Sequence, residues 1–188
     1  MKVLCIGDSN TYGYDPRSYL GSRYPSEIRW TERLGEHKVI NCGMNGLTIP
    51  KDAGMFKELI QSRSPDLVTV MLGSNDLLEG ADAQRTAERM DVFLHALKAS
   101  EARILLIAPP PMQPGQWVQS DELVEESEKM GKLYGKLAGE NGVFFADAGC
   151  WGVELLFDGV HFSPAGHAAF ARKLSETLQE ICDDSQAV

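Results

Sequence analysis

Four short stretches, far apart in the chain, carry residue types that together can open an ester bond. The first, Gly7-Asp8-Ser9-Asn10, offers a serine at the head of a strand-to-helix turn, where backbone N–H groups lack partners. A free hydroxyl is nearly unreactive at neutral pH and needs an adjacent base. The fourth, Asp158-Gly159-Val160-His161, supplies one: His161 to take the proton and Asp158 to orient the imidazole and stabilise its charged form. Between them lie Asn41-Cys42-Gly43-Met44-Asn45-Gly46 and Gly73-Ser74-Asn75-Asp76. There the Gly43 N–H and the Asn75 side-chain amide, with the Ser9 N–H, are expected to hold an oxyanion. A glycine suits that task because no Cβ blocks the approach to its N–H. Each stretch alone has a plain structural explanation: a helix cap, a turn glycine, a turn-capping amide, a common Asp-x-x-His loop. Their co-occurrence carries the inference.

These groups must be positioned by regular elements. Five apolar, β-rich runs are predicted as strands, over 2–6, 38–41, 66–72, 102–108 and 143–146. The third and fourth are almost continuously apolar, as expected of strands covered on both faces. Helical spacing fills the intervals at 30–36, 51–63, 82–99, 120–140 and 163–182. Ala87, Met90, Phe93, Leu94 and Leu97 share one face of the third helix, while Ser163 and Pro164 suit the start of the last. The fold class this predicts is α/β, a three-layer α/β/α sandwich on a mainly parallel five-stranded sheet. In such folds ligands sit beyond the carboxyl ends of the strands, which is where Ser9, Gly43 and Asn75 fall.

The chain has 188 residues, enough for a single domain, predicted over 1–182 with a polar tail at 183–188. The formal net charge of −9 argues against a phosphate-backbone partner and equally against anionic membrane surfaces. No apolar run approaches spanning length, so no nucleic-acid or membrane partner is expected. Cys5, Cys42, Cys150 and Cys182 are scattered without a Cys-x-x-Cys pair. His161 and His167 would lie on different faces and one already has a role, so neither metal nor other cofactor is expected. The absence of a leader pattern points to the cytoplasm. Tyr12, Tyr14 and Phe162 are candidate pocket residues, and Asp8 and Asp76 are read as turn braces. The loops at 17–26 and 109–119 are the longest irregular segments.

The four stretches resemble the blocks of the SGNH, or GDSL-like, hydrolase superfamily, named for residues matched here by Ser9, Gly43, Asn75 and His161. Arg29-Trp30-Thr31, Ile107-Ala108-Pro109-Pro110-Pro111 and Phe145-Ala146-Asp147-Ala148-Gly149 are similar to its small bacterial arylesterase/acyltransferase branch. The resemblance implies a flavodoxin-like fold, metal-free catalysis, small acyl esters as substrates and a tendency of relatives to form oligomers. Asn10 departs from the leucine many relatives carry, Tyr12 and Tyr14 stand where that branch often has tryptophan, and the segment at 50–65 is shorter. The expected activity is a serine esterase acting on a small-molecule ester through an acyl-enzyme, with acyl transfer to alcohols as an extension. A deacetylase of O-acetylated carbohydrate would use the same residues. A non-catalytic binding module should have lost one of them, and no apolar lid of a long-chain lipase is evident.

Overall fold

The structure, a computed structural model, describes residues 1–18, 20, 22–100 and 102–184. Five strands form one sheet: β1 (Lys2–Gly7), β2 (Lys38–Gly43), β3 (Leu67–Met71), β4 (Ile104–Ala108) and β5 (Phe144–Asp147). Their order is β2-β1-β3-β4-β5 and every pairing is parallel. This is the doubly wound flavodoxin-like arrangement, whose strand order reverses beside β1, between β2 and β3. The register Gly7↔Gly43 and Gly7↔Met71 brings the ends of β2, β1 and β3 to one rim.

The helices are α1 (Ser9–Tyr12), α2 (Gly54–Arg63), α3 (Ser74–Leu78), α4 (Ala83–Lys98), α5 (Asp121–Asn141) and α6 (Pro164–Asp184). Leu4, Ile6, Val68, Val70 and Leu106 point to one face of the sheet and pack on Phe56, Phe93, Leu94 and Tyr134. Val3, Cys5, Leu105 and Ile107 point to the other and pack on Trp30, Phe170, Leu174 and Leu178. Strands buried on both faces explain the unbroken apolar runs. Truncating a core ring such as Phe170, which is fully buried, would cost about 3–5 kcal/mol.

Caps fix the helix starts. Asp82 accepts from the Arg85 N–H, Ser120 from the Leu123 N–H and Ser163 from the Gly166 N–H. Several expected bounds move. The helix expected over 30–36 shrinks to a 3₁₀ turn at Trp30–Glu32, and Gly35, at φ +62°, turns the chain toward β2. The helix expected from residue 51 begins at Gly54, because Asp52 Oδ1 takes the Gly54 N–H in a tight turn. Residues 183 and 184 of the expected tail continue α6, and 185–188 lie outside the described residues, as do 19 and 21 of the loop at 17–26.

Candidate active site

Ser9 opens α1 directly after β1. Asp8 caps that short helix by accepting the Asn10 N–H at 2.9 Å, which sets the turn presenting the hydroxyl. The Ser9 Oγ lies 2.9 Å from His161 Nε2, and His161 Nδ1 lies 2.8 Å from Asp158 Oδ2. A carboxylate only accepts, so Nδ1 carries the ring proton and Nε2 faces the serine as an acceptor. The other Asp158 oxygen accepts the Val160 and His161 N–H groups, each at 2.9 Å. Burial pushes the Asp158 carboxyl upward, but the His161 ring and these N–H groups outweigh it and hold its pKa below the ordinary value. Asp158 therefore stays charged beside a histidine that is itself 1% exposed. Asp8, equally buried, goes the other way. Burial raises its pKa to about 6, against the opposing pull of the Asn10 N–H and nearby His161.

The hydroxyl opens into a cleft of about 230 Å³ lined by Ser9, Tyr14, Asn45, Gly46, Asn75, Trp117 and His161. His161 is the only ionisable group among them besides the Tyr14 phenol, so the cleft suits an uncharged ligand. Tyr14 leans over the imidazole, with ring centroids 4.8 Å apart and planes at 60°. Larger grooves run along α4 and α5, but they are lined largely by carboxylates, with Lys129 and Lys132 in one of them, and neither has a histidine in its lining to activate a hydroxyl.

Ser9, His161, Asp158, Asn75 and Tyr14 thus meet, as their sequence positions suggest. Gly43 does not join them. It is still in register with Gly7 inside the sheet, and its N–H donates to Asn41 Oδ1 at 2.9 Å. A Cβ there would sit 2.2 Å from the Tyr12 N, so the glycine serves the close passage of α1 over β2. Gly46, three residues on at φ +71°, lines the cleft, and no hydrogen bond among the described residues uses its N–H or that of Ser9. Its loop is held from the β3 side: Asn75 Nδ2 donates to the Leu47 C=O at 3.1 Å, and Asp76 accepts the Ile49 N–H at 2.9 Å. The second proton of that Asn75 amide is left for a ligand.

Two pocket candidates also fall away. Tyr12 is outside the cleft lining and packs its ring under the Arg23 guanidinium, 4.4 Å from the centroid. Phe162 is fully buried and packs on Phe170 and His167, because its neighbour His161 takes the cleft side of the loop. Trp117 stands in their place. Its loop, at 109–119, is stitched to the triad loop by Gln113 N–H to Gly159 C=O, Gln116 N–H to Phe157 C=O and Trp117 N–H to Asp158 C=O, at 3.0, 3.0 and 3.1 Å. The two chains approach so closely that a Cβ on Gly159 would lie 2.0 Å from the Gln113 oxygen, and one on Gly115 would lie 2.5 Å from the Asp158 carbonyl carbon. Among the described residues no cluster of three or more His, Cys, Asp or Glu side chains is arranged to hold a metal ion.

The model of the GDSL-like lipase/acylhydrolase family matches residues 5–169. The chain is 29% identical over 107 residues to the thioesterase 1/protease 1/lysophospholipase L1 of Escherichia coli (strain K12), covering 56% of this chain and 49% of that protein. The chain thus spans about half the length of the first curated relatives it matches. Among solved structures, the aryl esterase of M. smegmatis superposes with a TM-score of 0.82 at 25% identity, covering 95% of this chain and 98% of that one. A carbohydrate acetylesterase from Sinorhizobium meliloti gives 0.82 at 27%, covering 96% and 99%.

Proposed function

We propose that this chain, which belongs to the GDSL-like lipase/acylhydrolase family, is a serine esterase of small, uncharged carboxylic esters. The carrying observation is the unbroken relay from Asp158 through His161 to Ser9, at 2.8 and 2.9 Å, ending in a cleft faced by Gly46 and Asn75. Ser9 Oγ attacks the ester carbonyl and passes its proton to His161 Nε2. The negative charge forming on the carbonyl oxygen is met by the Ser9 N–H, the Gly46 N–H and the free Asn75 N–H. Collapse expels the alkoxide, which takes the proton back from Nε2 and leaves an acyl-Ser9. Water, deprotonated by the same nitrogen, then releases the acid. An alcohol in place of that water would give acyl transfer.

The small cleft volume and the absence of lining cations favour acetyl and short acyl groups over long chains or anionic thioesters. A deacetylase of O-acetylated carbohydrate is the second reading, favoured by the half-exposed Trp117 ring at the cleft and the likeness to a carbohydrate acetylesterase. Four free cysteines suit a reducing, cytoplasmic setting. Among the described residues no helix is long and apolar enough to cross a membrane. Self-association rests on the resemblance and is read by sedimentation.

The test is hydrolysis of p-nitrophenyl acetate, butyrate and octanoate by wild type and Ser9→Ala. Turnover that depends on Ser9 and falls with chain length supports the proposal. Equal turnover in Ser9→Ala overturns it, and release of acetate from acetylated sugars in preference to the aryl esters selects the second reading.

A further inference from the structure

Asn10 follows the nucleophile and is 5% exposed. Its backbone is held on both sides: the N–H goes to Asp8 Oδ1 and the C=O accepts from Trp30 Nε1, each at 2.9 Å. The side chain then reaches the loop that carries the base. Asn10 Nδ2 donates to the Val160 C=O at 3.1 Å, and Asn10 Oδ1 accepts the Phe162 N–H at 2.9 Å. Those two peptide groups sit on either side of His161, and neither has another partner among the described residues. A carbonyl can only accept and an N–H can only donate, so the amide has one orientation. A carboxylate of the same shape would offer two acceptors, and an aliphatic side chain would offer nothing.

We infer that Asn10 is the positioning residue for His161, its amide clasping the peptide groups before and after the base so that Nε2 stays in reach of Ser9 Oγ. Nucleophile and base, 152 residues apart in sequence, are thereby referenced to one four-residue helix. Asp158 orients the ring about its own bonds; Asn10 fixes the backbone from which the ring hangs. The inference rests on the serine-esterase reading and adds a residue that touches neither substrate nor reacting atoms.

The test compares Asn10→Leu and Asn10→Ala with wild type on p-nitrophenyl acetate. A misplacement of the base by about 1 Å is expected to lower kcat in Asn10→Leu by about 10- to 100-fold, with KM changed less than about threefold. Alanine leaves room for a water to span the two peptide groups, so Asn10→Ala should turn over faster than Asn10→Leu. If residue 10 acts by packing, leucine outperforms alanine; that order, or wild-type kcat in Asn10→Leu, overturns the inference. A second readout needs no substrate: the low-field proton resonance of His161 Nδ1–H, assigned by its loss in Asp158→Asn. It should broaden or shift in Asn10→Leu. Should wild type hydrolyse nothing, the esterase reading fails while this resonance still decides the positioning role. Should Asn10→Leu lose its near-ultraviolet circular dichroism, Asn10→Ala decides, and wild-type kcat with an unshifted resonance in that variant overturns the inference.

Discussion

The indole of Trp117 stands edge-on to the imidazole of His161, with centroids 4.9 Å apart and planes at 83°. The ring is 47% exposed, so it forms a wall of the cleft without belonging to the core. Aromatic contacts of this kind contribute about 0.5–1.5 kcal/mol beyond burial. Trp117→Ala should therefore raise KM for aryl acetates by about 2- to 10-fold with little change in melting temperature. A KM series over alkyl and aryl acetates checks this, and an unchanged KM would remove Trp117 from substrate contact.

Asp158→Asn tests the relay at its buried end. The asparagine oxygen can still accept the Val160 and His161 N–H groups, but an amide N–H then faces His161 Nδ1 and selects the wrong tautomer. A drop in kcat of about 10⁴ is expected, with the protein still folded. Single-turnover acylation measured by p-nitrophenolate release is the check. Loss limited to a few-fold would show that Asp158 does not set the tautomer.

Gly43 and Asn75 should separate stability from catalysis. A Cβ on Gly43 runs into the Tyr12 backbone, so Gly43→Ala should lower the melting temperature strongly. Asn75→Ala removes a donor at the oxyanion and should cost about 2.7–4 kcal/mol of transition-state stabilisation, seen in kcat. Thermal melts and kinetics on both variants distinguish these roles. A Gly43→Ala protein that melts like wild type but has lost kcat would return the oxyanion role to Gly43.

His167 predicts acid sensitivity. Burial, reinforced by Arg33 and Arg29, lowers its pKa to about 3; its Nδ1 accepts the Trp30 N–H and its Nε2 has no partner among the described residues. Unfolded, it binds a proton below about 6.5. The unfolded chain thus holds the extra proton between those values, and stability falls as pH falls through that window. At pH 4.5 the loss is on the order of 3 kcal/mol. Asp8 opposes it, because a carboxyl raised to about 6 takes up a proton in the folded state first and stabilises the fold as pH falls from there toward 3.8. Urea midpoints at pH 7.5 and 4.5 should show a smaller acid loss in His167→Gln than in wild type. Equal losses would mean His167 is protonated without unfolding.

The strands were legible because a parallel sheet covered on both faces leaves unbroken apolar runs such as 104–108. The relay was legible because a serine just after a strand and an Asp-x-x-His loop just before the last helix have few other joint purposes. Gly43 falls outside the cleft and Gly46 inside it for a geometric reason. Gly43 and Gly46 both follow the second apolar run, and only the register Gly7↔Gly43 reveals that the first is still inside the sheet. Tyr12 and Phe162 failed as pocket residues because their facing depends on a four-residue helix and an irregular loop, which have no hydrophobic period to read. Trp117 lies in a loop without periodicity, placed by backbone hydrogen bonds that no side-chain pattern announces.

The tight seam between the Gln113–Trp117 backbone and the Phe157–Gly159 backbone bears on how a substrate would reach the cleft. With no Cβ at either glycine and three backbone hydrogen bonds across it, the seam leaves no slack for the Trp117 wall to swing as a flap. A substrate of the proposed esterase would then enter a preformed mouth and be selected by shape at entry instead of by closure after it. Turnover should be insensitive to solvent viscosity at saturating substrate. Crystals soaked with a phosphonate inhibitor should show the same wall in the free and modified protein.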